Sequence, residues 1–111
     1  IEFPATDMMA TKAFYAEAFG WQFTDYGPDY ASFDKASAGV DGGFTTQTEV
    51  QPTGTLAVLY AEDLEAALEK VRAANGEIVQ DIFSFPGGRR FHFRDPSGNE
   101  LAVWTITDEA E

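Results

Sequence analysis

The chain has 111 residues, a net charge of -12 and no cysteine. A chain this long buries roughly 65% of its unfolded surface, so it builds one domain with a core of its own. The acidic balance argues against nucleic acid, the missing cysteines exclude disulfides and thiolate chemistry, and no apolar run approaches the ~20 residues of a membrane span.

No signal peptide is visible, and the cytoplasm is the expected location. The charge itself has two readings, solubility or attraction for a cationic ligand.

Residues 1–5 predict a short strand, with Ile1 and Phe3 on one face and Glu2 and Pro4 on the other. Asp7 is a good helix N-cap. Met8, Ala10, Thr11, Phe14, Tyr15, Ala18 and Phe19 follow at helical spacing, and Gly20 stands where a left-handed C-terminal residue belongs. Residues 21–26 and 30–33 predict strands around the Gly27-Pro28-Asp29 turn. Residues 39–43 are turn-rich and lead into a strand at 44–49, and 51–54 read as a linker.

The plan then starts again. Residues 55–61 predict a strand, Asp63 a second N-cap, and Leu64, Ala67, Leu68 and Val71 an amphipathic helix ended by Asn75-Gly76. Strands at 77–83 and 89–94 flank Pro86-Gly87-Gly88. In the second of them Phe91 and Phe93 alternate with His92 and Arg94, the pattern of a half-buried strand. Asp95-Pro96-Ser97-Gly98-Asn99 makes a tight turn into the last strand, 101–107, and an acidic tail closes the chain.

Asp7 and Asp63, Gly20 and Gly76, and Gly42 and Gly98 are each 56 positions apart. This shared offset implies an internal duplication of a β-α-β-β-β unit, about 1–50 and 55–107, within a single α+β domain over 1–111. In each unit the helix covers one sheet face and leaves the other for a ligand or for the partner unit.

These residues carry a resemblance. Asp7 with Ala13-Phe14-Tyr15 and Phe19-Gly20-Trp21, Gly42-Gly43-Phe44, Asp63-Leu64 with Ala67, and Phe93-Arg94-Asp95-Pro96-Ser97-Gly98-Asn99 resemble the vicinal oxygen chelate superfamily. That superfamily holds glyoxalase I, bleomycin-resistance proteins, fosfomycin-resistance enzymes and extradiol dioxygenases. The resemblance implies duplicated β-α-β-β-β units whose mixed sheets curl into a cup, in a homodimer. It also implies metal-ligand positions. Carried over, these fall just ahead of Ile1, on Leu56, on Thr46 and on Ala102. Leu and Ala cannot bind a metal and a Thr hydroxyl is a poor ligand, so no metal and no other cofactor is expected.

Strand alternation extends the reading. If Ala102 faces the cup, so do Glu100 and Trp104, with Glu2 and Pro4 in the first strand and Leu56, Val58 and Tyr60 in the fifth. His92 shares its face with Arg90 and Arg94. Arg89, Arg90 and Arg94 crowd one strand, where they either hold an anionic or polar ligand group or compensate nearby carboxylates. His92 is a structural histidine or a proton acceptor in the cup. Glu2 is a solvated strand end or a general base beside it. Trp104 packs or stacks, and Trp21 belongs to the core.

Two functions follow. The first is a metal-free protein that binds a small molecule in the cup, with Tyr60, Arg90, Trp104, Val58 and Leu56 as ligand contacts. The second is a metal-independent lyase or isomerase with Glu2 and His92 as acid-base groups. A third reading makes the domain a module of a longer chain.

Overall fold

The computed structural model describes residues 1–47, 49–50 and 55–107. The linker expected at 51–54 and the acidic tail lie outside the described residues. The chain forms two four-stranded mixed sheets. The first holds β1 (Glu2–Pro4), β2 (Phe23–Asp25), β3 (Tyr30–Phe33) and β4 (Gly42–Thr45), in the order β1-β4-β3-β2. The second holds β5 (Ala57–Tyr60), β6 (Glu77–Phe85), β7 (Gly88–Arg94) and β8 (Glu100–Ile106), in the order β5-β8-β7-β6. In each sheet the first and last strands pair in parallel and the other pairs are antiparallel. Helix α1 (Met8–Phe19) follows β1 and helix α3 (Leu64–Ala73) follows β5.

Local chemistry places both helices. The Asp7 carboxylate accepts from the Ala10 N–H at 3.1 Å, and that of Asp63 from the Ala66 N–H at 3.0 Å, each satisfying an orphan donor of the first turn. Thr11, Phe14, Tyr15 and Ala18 form the buried stripe of α1, and Leu64, Ala67, Leu68 and Val71 that of α3. These stripes meet Phe33 and Phe44 of the first sheet and Phe91, Phe93, Leu101 and Val103 of the second in one hydrophobic cluster. Trp21 joins it, its ring 4.6 Å from Phe33 and 4.7 Å from Tyr15.

Three details differ from the sequence expectation. A short helix, α2 (Lys35–Ala38), stands between β3 and β4, capped by Asp34 through the Ser37 N–H. Four residues carry no amphipathic period, which is why it escapes notice. The helix ends also differ: Gly20 is left-handed at φ 76°, but after α3 that role passes to Asn75 at φ 73°. Gly76 is instead a close-approach glycine, since a Cβ there would lie 2.6 Å from Val71 and 2.7 Å from Phe14. The third is the turn. β1 pairs with β4 at a separation of 41 positions (Phe3 to Phe44), whereas β5 pairs with β8 at 44 (Leu59 to Val103). The second unit is three residues longer between its first and last strands, so Gly42 and Gly98 are not equivalent. Gly42 sits in β4 with its Cα against the Ile1 carbonyl and the Phe33 ring, while Gly98 turns at φ 94°.

The Asp95–Asn99 turn ties the halves together. The Asp95 carboxylate accepts from the Ser97 and Asn99 N–H groups, from the Asn99 side-chain amide and from the Tyr15 hydroxyl of α1. Asn99 donates to the Pro4 carbonyl at 2.7 Å, and the Ser97 hydroxyl accepts from the Thr6 N–H at 2.8 Å. One hairpin turn of the second unit thus holds the β1–α1 corner of the first.

Candidate functional site

The second sheet has a helix-covered face and an open one. Leu101, Val103, Phe91 and Phe93 point into the core. Their alternates face the other way. Register places Val58 and His92 beside Ala102, and Tyr60 and Arg90 beside Trp104. On β6 the partners are Gln80 for His92 and Phe83 for Arg90. Directly paired residues share a face, so Val58, Tyr60, Arg90, His92 and Trp104 stand together with Phe83 and Gln80.

Aromatic rings line this face. Tyr60 meets Trp104 edge-on at 5.1 Å, and Phe85 lies 6.3 Å from Trp104. Phe83 stacks on the His92 imidazole at 5.9 Å and 28°. The Arg90 guanidinium sits over both Phe83, at 5.4 Å, and Phe85, at 5.7 Å, in cation–π range. Tyr60 is 51% exposed, and Val58 and Ile106 are exposed too. A cleft of about 500 Å³ opens at the sheet's edge, between Val58 and Tyr60 on one side and Trp21 and Val40 on the other.

The polar groups are few and specific. His92 is 8% exposed, and its Nδ1 lies 2.9 Å from the Glu100 carboxylate. His92 Nε2 and Arg90 Nε are both buried, and neither has a hydrogen-bond partner among the described residues. The three arginines of β7 part company. Arg89 faces the helix side and pairs with Glu65 of α3, whose carboxyl is held below its ordinary pKa by that hydrogen bond. Arg94 lies 3.8 Å from Glu77. Arg90 makes no ion pair with a described residue. Charge compensation accounts for two of the three and leaves Arg90 over its rings.

Glu2 stands apart from this group. It lies on β1 of the other sheet and accepts a hydrogen bond from the Tyr30 hydroxyl at 3.2 Å. No hydrogen bond or ion pair joins it to His92, whose carboxylate partner is Glu100. Leu56 lies just before β5 rather than on it, and Thr46 lies just beyond β4, donating to Asp29 at 2.6 Å. Phe83, Phe85 and the His92–Glu100 pair were not singled out from the sequence. The pairing of β6 shifts register between Ile78 and Gln80 and again between Gln80 and Phe83, so alternation along β6 could not aim Phe83.

Residues 1–103 match the Glyoxalase/Bleomycin resistance protein/Dioxygenase superfamily. The chain belongs to that superfamily. It is 29% identical to a glyoxylase-like domain-containing protein of Didymella fabae, over 95% of this chain and 90% of that one. It is 23% identical to a putative glyoxylase of Mycobacterium bovis, over 94% of this chain but 43% of the relative's length. Among solved structures, a glyoxalase/bleomycin resistance protein/dioxygenase family enzyme from Burkholderia phytofirmans superposes with a TM-score of 0.80 at 17% identity, covering 96% of each chain. Lactoylglutathione lyase from Agrobacterium tumefaciens superposes at 0.73 and 17% identity, covering 95% of this chain and 90% of that one. These likenesses show the fold.

Metal-dependent branches of the superfamily raise the question of a metal. The first-strand positions that the resemblance implies stay just ahead of Ile1 and on Leu56, and the register, rather than the offset of the glycines, moves the last-strand counterpart of Ala102 from Thr46 to Gly43. Leu56, Gly43 and Ala102 bring no side-chain oxygen or nitrogen donor, a set that does not suit a divalent transition metal. Among the described residues, no three His, Asp or Glu side chains converge on a point that could hold one.

Proposed function

We propose that this chain is a metal-free, small-molecule-binding member of its superfamily. A planar or apolar ligand lies against Tyr60, Trp104 and Phe85, with Arg90 and His92 beside it and Val58 and Leu56 at the edge. The observation that carries this reading is a partly exposed aromatic face next to two buried side-chain nitrogens that have no hydrogen-bond partner among the described residues. Buried polar groups are ordinarily satisfied, and an unmet one costs about 1–3 kcal/mol, so a site that keeps two is built to receive something. The single chain leaves this face open, and a second copy closes it into a cup. The two units act as one domain, in the cytoplasm.

A screen of planar molecules, neutral, cationic and anionic, followed by thermal unfolding and tryptophan fluorescence, tests the reading. Saturable stabilisation that disappears in Trp104→Ala is expected. Stabilisation by no class of compound, or binding untouched by Trp104→Ala, would overturn it. Zn, Ni, Mn and Fe(II) are expected to leave the melting temperature unchanged. A resident metal at a hundredfold over its Kd would add about 2.7 kcal/mol.

The alternative, a metal-independent lyase or isomerase, is favoured by one observation. His92 has a carboxylate partner, as a general base needs. That partner is Glu100 instead of the expected Glu2. Turnover of a bound compound that vanishes in His92→Gln while binding persists would select this reading.

A further inference from the structure

Building on the small-molecule reading, we propose that the site selects an acidic O–H group, a phenol or an enol, and that Phe83 is a movable cover over the two atoms that receive it.

The tautomer follows from Glu100. A carboxylate only accepts, so His92 Nδ1 carries the hydrogen and donates across the 2.9 Å contact. In the neutral ring Nε2 then holds a lone pair and accepts. Arg90 Nε is always a donor. The two unpartnered atoms are thus one acceptor and one donor, on side chains that face the same way from β7. A carbonyl would satisfy Arg90 alone. A hydroxyl satisfies both, and an acidic one most strongly: its O–H bond breaks, the proton forms a bond to His92 Nε2, and the oxygen anion accepts a charge-assisted hydrogen bond from Arg90 Nε. The imidazolium so formed keeps its hydrogen bond to Glu100. Glu100 is the carboxylate in contact with the ring. Arg90 and Arg94 are the other charged groups facing it from β7, and β6 contributes Glu77, which pairs with Arg94, and the neutral Gln80 and Phe83. In a chain of net charge -12, Arg90 is a cation without an ion pair to any described residue.

Neither nitrogen has accessible surface, so a ligand reaches them only when a covering side chain moves. Phe83 is the ring in contact with both the imidazole and the guanidinium. It sits where the β6–β7 ladder has just slipped register, on a stretch with fewer ladder bonds to hold it.

The probes are 4-nitrophenol and its methyl ether, 4-nitroanisole, titrated into the whole protein. The phenol is expected to bind about tenfold or more tightly than the ether, the worth of one charge-assisted hydrogen bond, and to show the phenolate spectrum when bound. Arg90→Gln and His92→Gln are expected to erase that preference while unfolding remains a single cooperative transition, and Phe83→Ala to speed association of the phenol. Equal binding of the two probes, a preference that survives both substitutions, or no binding of either at millimolar concentration would overturn the proposal. Equal binding would leave the wider reading of an aromatic-walled cup in place, whereas failure of every compound class in the broader screen would remove that one.

Discussion

Asp95 illustrates how much one side chain does here. It is buried, and desolvation raises its pKa from the ordinary 3.8, while hydrogen bonds from Asn99, Tyr15 and Ser97 pull the other way without cancelling that rise. Tyr15 is buried with it and is pushed well above its ordinary pKa by desolvation, then by the Asp95 charge. Tyr15→Phe removes a hydrogen bond to a charged acceptor, and a loss of about 1.5–3 kcal/mol is expected in urea unfolding. The pH dependence has a definite sign. A carboxyl whose folded pKa is raised contributes stability that is complete below its unfolded pKa and is lost as pH rises through the folded value. The stability of the parent relative to Asp95→Asn should therefore fall as pH rises from below 3.8 through the raised folded value toward neutrality. A difference that is flat or rises over that window would contradict the burial argument. The turn itself was legible from Asp95-Pro96-Ser97-Gly98-Asn99, because turn chemistry is local. Its grip on Tyr15, 80 positions away, was not, because nothing in the spacing announces a long-range acceptor.

At the scale of elements, the caps and buried stripes of both long helices followed from the sequence, since N-caps and amphipathic spacing are short-range signals. The glycines show the limit of that logic. Gly20 and Gly76 look alike in sequence yet do different jobs. Gly20→Ala places a side chain at φ 76° in open space, so its cost is conformational, about 1 kcal/mol. Gly76→Ala drives a Cβ into Val71 and Phe14, and overpacking of about 1–3 kcal/mol is expected. Asn75→Gly, at the true left-handed position, should be neutral or mildly stabilising. Thermal unfolding of the three variants checks the ranking, and a stable Gly76→Ala would sink the packing account. The same three-residue difference between units explains why the expected ligand position Thr46 falls beyond β4, the register counterpart of Ala102 being Gly43. Register depends on where the chain turns, and equal glycine spacing does not fix it.

At the scale of the whole molecule, the open face of the second sheet sets the remaining question. Alternation along β7 and β8 foresaw that Arg90, His92 and Trp104 share this face, because neither strand is bulged against the other. It could not supply the second wall. Val58, Tyr60 and Ile106 stay exposed along the face that holds Trp104, an apolar surface of the kind that marks an interaction site. A symmetric dimer would bury it, and Val58 and Tyr60 lie on edge strand β5, where a second copy can approach without disturbing either core. Sedimentation equilibrium at micromolar concentration is expected to give twice the 12.2 kDa chain mass. Tyr60→Glu puts a charge on the exposed rim and removes an aromatic anchor, so it should shift the protein to monomer with little loss of chain stability. If dimerisation closes the cup, Ile106→Glu, at an exposed residue outside the proposed ligand contacts, should weaken every planar ligand in parallel. A parent that sediments as a monomer yet binds such ligands saturably would show that one chain suffices, and would place the site in the cleft that Val58 and Tyr60 share with Trp21 and Val40.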